Sequence, residues 1–140
     1  EAPQNVSGFV LGEHGNSQFS AWSTVRLDGQ PISQFADAGK VDLEKLDEEI
    51  RQSAFTVVAG KGYTSTAIAT CAVRIVEAIF NDKHEFMPAS VYLEQFGTYI
   101  GYPAVIGKNG VEKIVPVKLP ADEAEKLAAS AKTIKEKEDA

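Results

Sequence analysis

The 140-residue sequence predicts an α+β fold in which a largely antiparallel sheet is packed with long helices. Three observations predict it. Its segments read as two strands, two helices, three strands and a helix, which is not an alternating βαβ series. Gly107-Lys108-Asn109-Gly110 between the last two strand-like runs is a hairpin signal, which makes those strands antiparallel neighbours. Leu43, Leu46, Ile50, Ala54 and Val57 recur at helical spacing and mark one face of a long helix.

Each element has its local reason. Residues 6–11 form a short strand that runs into Gly12-Glu13-His14-Gly15. Residues 21–27 form a second strand with Trp22 as a large apolar anchor, and Asp28-Gly29 supplies the turn after it. Asp42 can cap the first helix, which runs to about residue 59 with Gly60 as its stop. After Lys61-Gly62 a second helix starts near Tyr63 or Thr64 and runs to about Phe80. Only Arg74 and Glu77 interrupt its apolar surface, so it belongs in the interior or between the domain and a neighbour. Residues 85–95, 99–106 and 111–117 read as strands. Pro88, Pro103 and Pro116 lie inside them and lack a donor N–H, so each should face an edge or a bulge. Pro120 opens the last helix, whose Ala124, Leu127, Ala131 and Ile134 make a narrow apolar stripe, and residues 135–140 are expected to fray.

The totals exclude several classes. One domain of this length, 1–140, can bury a real core. A net charge of −6 without a basic patch argues against nucleic acid as a partner. No run approaches the ~20 apolar residues of a membrane span. Cys71 is the lone cysteine, which excludes an internal disulfide and favours a reducing compartment. His14 and His84 lie far apart in sequence, and His84-Glu85 lacks a second histidine four residues on, so no metal site is expected.

Two stretches carry chemistry. An ordinary imidazole titrates at about pH 6.5, so His14 is a candidate acid/base, and its flanking glycines would let a substrate approach closely. The same pattern also fits a turn histidine without a role. A catalytic histidine needs an orienting carboxylate, and Glu13, as a strand neighbour, points to the opposite face. The second stretch, Gly60-Lys61-Gly62-Tyr63-Thr64-Ser65, fails as a phosphate loop because Gly62 follows the lysine. What remains is a helix start with two hydroxyls, which fits simple capping or a contact to an anionic group. Ile68, one turn beyond Thr64 on the same face, would add an apolar wall.

Together these motifs resemble the C-terminal, substrate-binding domain of the lactate/malate dehydrogenase family, on its L-2-hydroxy acid dehydrogenase side. Gly12-Glu13-His14-Gly15 and Lys61-Gly62-Tyr63-Thr64-Ser65 carry the resemblance. Ala21-Trp22-Ser23 and Tyr102-Pro103-Ala104-Val105-Ile106-Gly107 support it, and it covers essentially the whole chain. The resemblance implies that His14 exchanges a proton with a 2-oxo or 2-hydroxy acid while NAD carries the hydride. It implies that Thr64 lines the substrate pocket and that Ile68 packs against the nicotinamide ring. It also implies a cytoplasmic, homo-oligomeric enzyme, a dimer or tetramer.

Glu13 before His14 is similar to lactate-type enzymes, whereas typical malate enzymes carry Gly-Gly-His-Gly, which leaves a malate dehydrogenase domain as an alternative. Asn16-Ser17-Gln18-Phe19 resembles the L-2-hydroxyisocaproate dehydrogenases. Ser7 stands where allosteric bacterial lactate dehydrogenases carry a histidine for fructose 1,6-bisphosphate, so activation by that sugar is not expected. The chain contains no Gly-x-Gly-x-x-Gly. The family's orienting aspartate, its carboxylate-clamping arginine and its mobile-loop arginine are expected upstream, in an N-terminal NAD-binding Rossmann domain absent from this chain. The 140 residues alone are therefore expected to be inactive. The alternative of another class is a free-standing association module that keeps the fold without catalysis.

Overall fold

A computed structural model of the chain describes residues 2–35 and 38–139. Two three-stranded antiparallel sheets form, β1 (Val6–Leu11), β2 (Phe19–Leu27) and β3 (Gln30–Pro31) in one, β4 (Glu85–Leu93), β5 (Thr98–Gly107) and β6 (Gly110–Ile114) in the other. Helices α1 (Leu43–Lys61) and α2 (Thr66–Phe80) lie between the sheets in sequence, and α3 (Ala121–Glu138) ends the described chain. The α+β class and its antiparallel pairing stand as expected, with the strands divided between two sheets.

Local chemistry explains most of the elements. The Asp42 carboxylate accepts from the Lys45 amide at 3.0 Å and starts α1. Asp28 and Gly29 both take positive φ, 51° and 78°, as the tight turn between β2 and β3 requires. Gly107 pairs with Gly110, closing the expected hairpin. Gly60 does not stop α1. The helix runs on to Lys61, and Gly62 takes the left-handed conformation at φ 86° while its amide bonds Val58 O at 2.7 Å.

The core runs between the sheets and under α3: Leu11, Phe19, Ala21, Met87, Val91, Ile100, Ala104, Ile106, Leu127 and Ala131 are among its buried members. In β2, Phe19, Ala21 and Val25 share one face, so Trp22 falls on the other. Trp22 is therefore half-buried outside this cluster, beside Ile32 and Leu43, and does not anchor the core. Asp47 of α1 is buried and accepts from the Ser20 amide at 3.2 Å, tying that helix to β2.

Three helix expectations are corrected. In α1, Leu43, Leu46 and Ile50 are half-buried, but Ala54 and Val57 are exposed. In α2 only Ala78 is fully buried, with Ile75 and Ile79 half-buried; Ile68, Val73, Val76 and Phe80 stay open. Of the two places expected for the apolar helix, the interior or between the domain and a neighbour, the structure excludes only the interior of this chain. In α3 the buried face is Glu123, Leu127, Ser130 and Ala131, with Ala124 outside it, and the helix persists to Glu138 because Lys137 and Glu138 bond other elements.

The prolines divide. Pro88 lies in edge strand β4, as expected. Pro103 lies in central strand β5, but its carbonyl accepts from Val115, just past the end of β6. Its nitrogen looks to that same side, where β6 has ended, so little ladder is lost. Pro116 follows β6 and is not in a strand. No single helix among the described residues is long and apolar enough to cross a membrane, and α1 and α2 are bent by 118° at their break.

Candidate active site

β1 ends at Leu11 and the chain turns through Gly12–Gln18 before β2 begins. Gly12 opens the turn at φ 100°, a conformation that suits glycine. Its amide and carbonyl both bond Gly101 of β5, at 3.2 and 3.0 Å, and this bridge joins the two sheets next to the histidine. Gly15 N–H bonds Glu13 O at 2.9 Å, and Gln18 N–H bonds Gly15 O at 3.2 Å. The turn is a built structure.

His14 is exposed on it, and its imidazole has no hydrogen-bond partner among the described residues. The imidazole opens on a cleft of about 730 Å³ that is also lined by Glu13, Ile50, Arg51, Tyr99 and Lys137. Arg51 is tied to Glu48 of its own helix at 2.8 Å.

Glu13 behaves differently from its neighbour. Its side chain is only 13% exposed and turns back, taking bonds from the Ser17 hydroxyl at 2.6 Å and the Lys137 ammonium. Those two contacts hold its carboxyl below the usual carboxylate range, Lys137 most of all. The Glu13 amide donates to Ser130 Oγ at 2.7 Å. Glu13 does not orient His14 with its carboxylate, but the reason is its bonds to Ser17 and Lys137 and not strand alternation, since β1 ends at Leu11 and both residues lie in the turn.

The glycines gain a structural reason here. A Cβ on Gly12 would come within 2.6 Å of Ser130 Oγ, and one on Gly15 within 2.9 Å of the Glu13 carboxylate. They make room for Glu13 and for α3. Sequence reading missed Ser130, Ser17 and Lys137. The available signal was a small polar residue, Ser130, set three positions after Leu127 on the buried face of α3.

Thr64 and Ile68 stand elsewhere. α2 starts at Thr66, so Thr64 is an exposed link residue, and the helical spacing that placed it over Ile68 does not apply. Ser65 occupies the cap position without a side-chain cap bond. Ile68, in the first turn of α2, is 56% exposed. Neither residue lines the cleft at His14. His84 meets two carboxylates, with Nδ1 2.7 Å from Glu112 and Nε2 3.3 Å from Asp82, a proximity that its sequence neighbours did not reveal. The Lys108 amide holds the Asp82 carboxyl low, and this exposed group lies away from the cleft lining.

Two antiparallel sheets, a bent helix pair and a last helix clasping a histidine turn define an α+β domain with an exposed histidine on a cleft. Comparison makes the assignment particular. The chain belongs to the lactate/malate dehydrogenase family, whose alpha/beta C-terminal domain matches residues 1–140. It is 40% identical to L-lactate dehydrogenase 1 of Lactobacillus acidophilus, over 96% of this chain and 44% of that protein. It is 41% identical to L-lactate dehydrogenase 2 of Clostridium acetobutylicum, over 94% and 44%. A lactate dehydrogenase from a Medee basin deep-sea metagenome library, MGS-M5, superposes with TM-score 0.89 at 33% identity, covering 97% of this chain and 46% of that one. The chain thus spans about 44% of the length of the curated relatives it matches.

Proposed function

We propose that this chain is the substrate-binding half of a cytoplasmic, NAD-dependent L-2-hydroxy acid dehydrogenase, of L-lactate or L-2-hydroxyisocaproate type. The observation that carries the reading is the exposed His14 imidazole, without a partner among the described residues, on a cleft wall formed by a turn whose Glu13 and Ser17 side chains are bonded. In reduction His14 donates its proton to the carbonyl oxygen of a 2-oxo acid. In oxidation it takes the proton from the 2-hydroxyl. Reduction therefore slows as pH rises and the imidazolium is lost, and oxidation slows as pH falls.

Thr64 would bind substrate from the α1–α2 link. For the cofactor, the residues present fit only the nicotinamide end: Ile68 offers an open apolar side chain for the ring face, and the chain has no glycine-rich dinucleotide loop. When bound, NADH supplies the hydride. The remainder of the site belongs to a dinucleotide-binding domain, and the 140 residues alone give no turnover. Holding reactants together contributes about 7–11 kcal/mol, which this chain by itself does not supply.

The test is an assay of the complete gene product with NADH and a panel of 2-oxo acids. Reduction of pyruvate or 2-oxoisocaproate is expected. Oxidation of NADH by none of the acids would end this reading.

A second reading, an association module without catalysis, is favoured by one observation. Val73, Val76 and Phe80 leave a largely apolar side of α2 open, Phe80 by 85%. In the dehydrogenase reading the same surface meets the partner domain or another subunit. A gene product that binds and reduces no oxo acid yet dimerises through α2 would support the module.

A further inference from the structure

The His14 turn is clasped from the far end of the chain. Ser130 of α3 is fully buried. Its Oγ receives the Glu13 amide at 2.7 Å and lies 2.9 Å from Ser17 Oγ. The Ser17 hydroxyl and amide both donate to Glu13 Oε2, at 2.6 and 3.3 Å, while the Lys137 ammonium holds Oε1. Lys137 is seven residues after Ser130, two helical turns on, so both project from one face of α3. That helix is itself fixed by buried Leu127 and Ala131. One rigid element therefore grips the backbone and the side chain of the residue preceding the histidine.

We propose that Ser130 and Lys137 are positioning residues for His14, acting through Glu13. The proposal rests on the proton-transfer role of His14 argued above. With both Glu13 amide and carboxylate pinned, the backbone direction into His14 is set, and the imidazole is held toward the cleft. Proton transfer depends steeply on such placement, and misplacement by about 1 Å costs on the order of 100-fold.

Lys137 has a second effect. It neutralises the carboxylate beside the histidine. The other charged groups lining the cleft are Arg51, paired with Glu48, and Glu138, which accepts from the Thr98 hydroxyl. Without Lys137, the cleft that His14 lines carries an unbalanced Glu13 carboxylate. An anion nearby favours imidazolium, so the pH at which reduction falls moves upward.

The test uses the complete gene product with Lys137→Met, Lys137→Arg, Ser130→Ala and His14→Asn. Lys137→Met is expected to lower kcat about 10- to 100-fold with KM within about twofold. Its high-pH limb for reduction should move to higher pH, and Lys137→Arg should restore both. Ser130→Ala is expected to lower kcat with KM unchanged. Lys137 is 66% exposed at its side chain, so its replacement decides the matter if Ser130→Ala does not fold. Native kcat and a native pH profile in Lys137→Met, with His14→Asn inactive, would overturn the positioning role alone. Activity retained in His14→Asn would instead remove the proton-transfer reading beneath it. A Lys137→Met enzyme with fewer active sites, but an unmoved pH limb and normal turnover per site, also overturns the proposal.

Discussion

Gly12 and Gly101 exchange two backbone hydrogen bonds, at 3.2 and 3.0 Å, and so join the sheet that ends at the histidine turn to the sheet that backs the core. A Cβ on Gly101 would sit 2.8 Å from Gly12 O. That oxygen belongs to backbone and cannot swing aside. The distance between the sheets at this point, and with it the setting of the turn, is a consequence of two missing side chains.

Gly101→Ala is therefore expected to destabilise the fold by about 1–3 kcal/mol through overpacking. Gly12→Ala should cost more, because it adds a positive-φ penalty to a 2.6 Å approach to Ser130 Oγ. Urea unfolding of the two variants measures this. Native midpoints in both would show that the bridge is slack.

His14→Asn should lower the turnover of 2-oxo acids by about 10²–10⁴-fold, the usual contribution of a general acid. Stability should be unchanged, since the imidazole is exposed and bonds no described residue. Steady-state kinetics on the complete gene product gives the first quantity and thermal melting the second.

Glu13 makes stability depend on acid. Its carboxyl is lowered from 4.5 in the folded chain by Lys137 and Ser17. A lowered carboxyl contributes stability that is full above the unfolded value and lost as pH falls through the folded one. Stability should fall on acidification below about pH 4.5, and Glu13→Gln should weaken that dependence. Parallel pH profiles of the urea midpoint for native chain and variant would contradict the pairing.

Glu123 is 5% exposed at the start of α3 and accepts from the Ser23 amide at 2.9 Å and the Ser23 hydroxyl at 2.5 Å. Glu123→Ala leaves those donors without it and should cost about 1–3 kcal/mol. Chemical denaturation reads the loss, and a change within error would mean that water replaces the carboxylate freely.

The open side of α2 should make the 140-residue chain self-associate as concentration rises. Phe80→Asp with Val73→Asp is expected to shift it toward monomer. Sedimentation velocity distinguishes the two, and a native chain that stays monomeric at high concentration would show that this surface is not adhesive.

Much of the fold was legible because its causes are local. The Asp42 cap reaches only to Lys45, the Asp28-Gly29 turn lies within four residues, and the Gly107–Gly110 hairpin closes on itself. Expectations failed where a local cue had two equivalent readings. Gly60 and Gly62 both suit a helix end, and only the backbone path selects the second. Trp22 and Ala21 are adjacent in one strand, and the pleat buries just one of them. In α2, apolar composition signalled burial, but whether this chain or another surface supplies it depends on how α2 sits against the sheets.

The amino-acid sequence by itself determined the α+β class, the order and approximate bounds of the elements, and a glycine-flanked histidine after the first strand, because capping, periodicity and turn chemistry act over a few residues. Only tertiary structure decided what surrounds that histidine. Glu13 meets Ser130 and Lys137 across separations of 117 and 124 residues. Contacts of that range follow from the packing of α3 over the two sheets. Packing depends on the shape of all the elements together, so no local pattern records it.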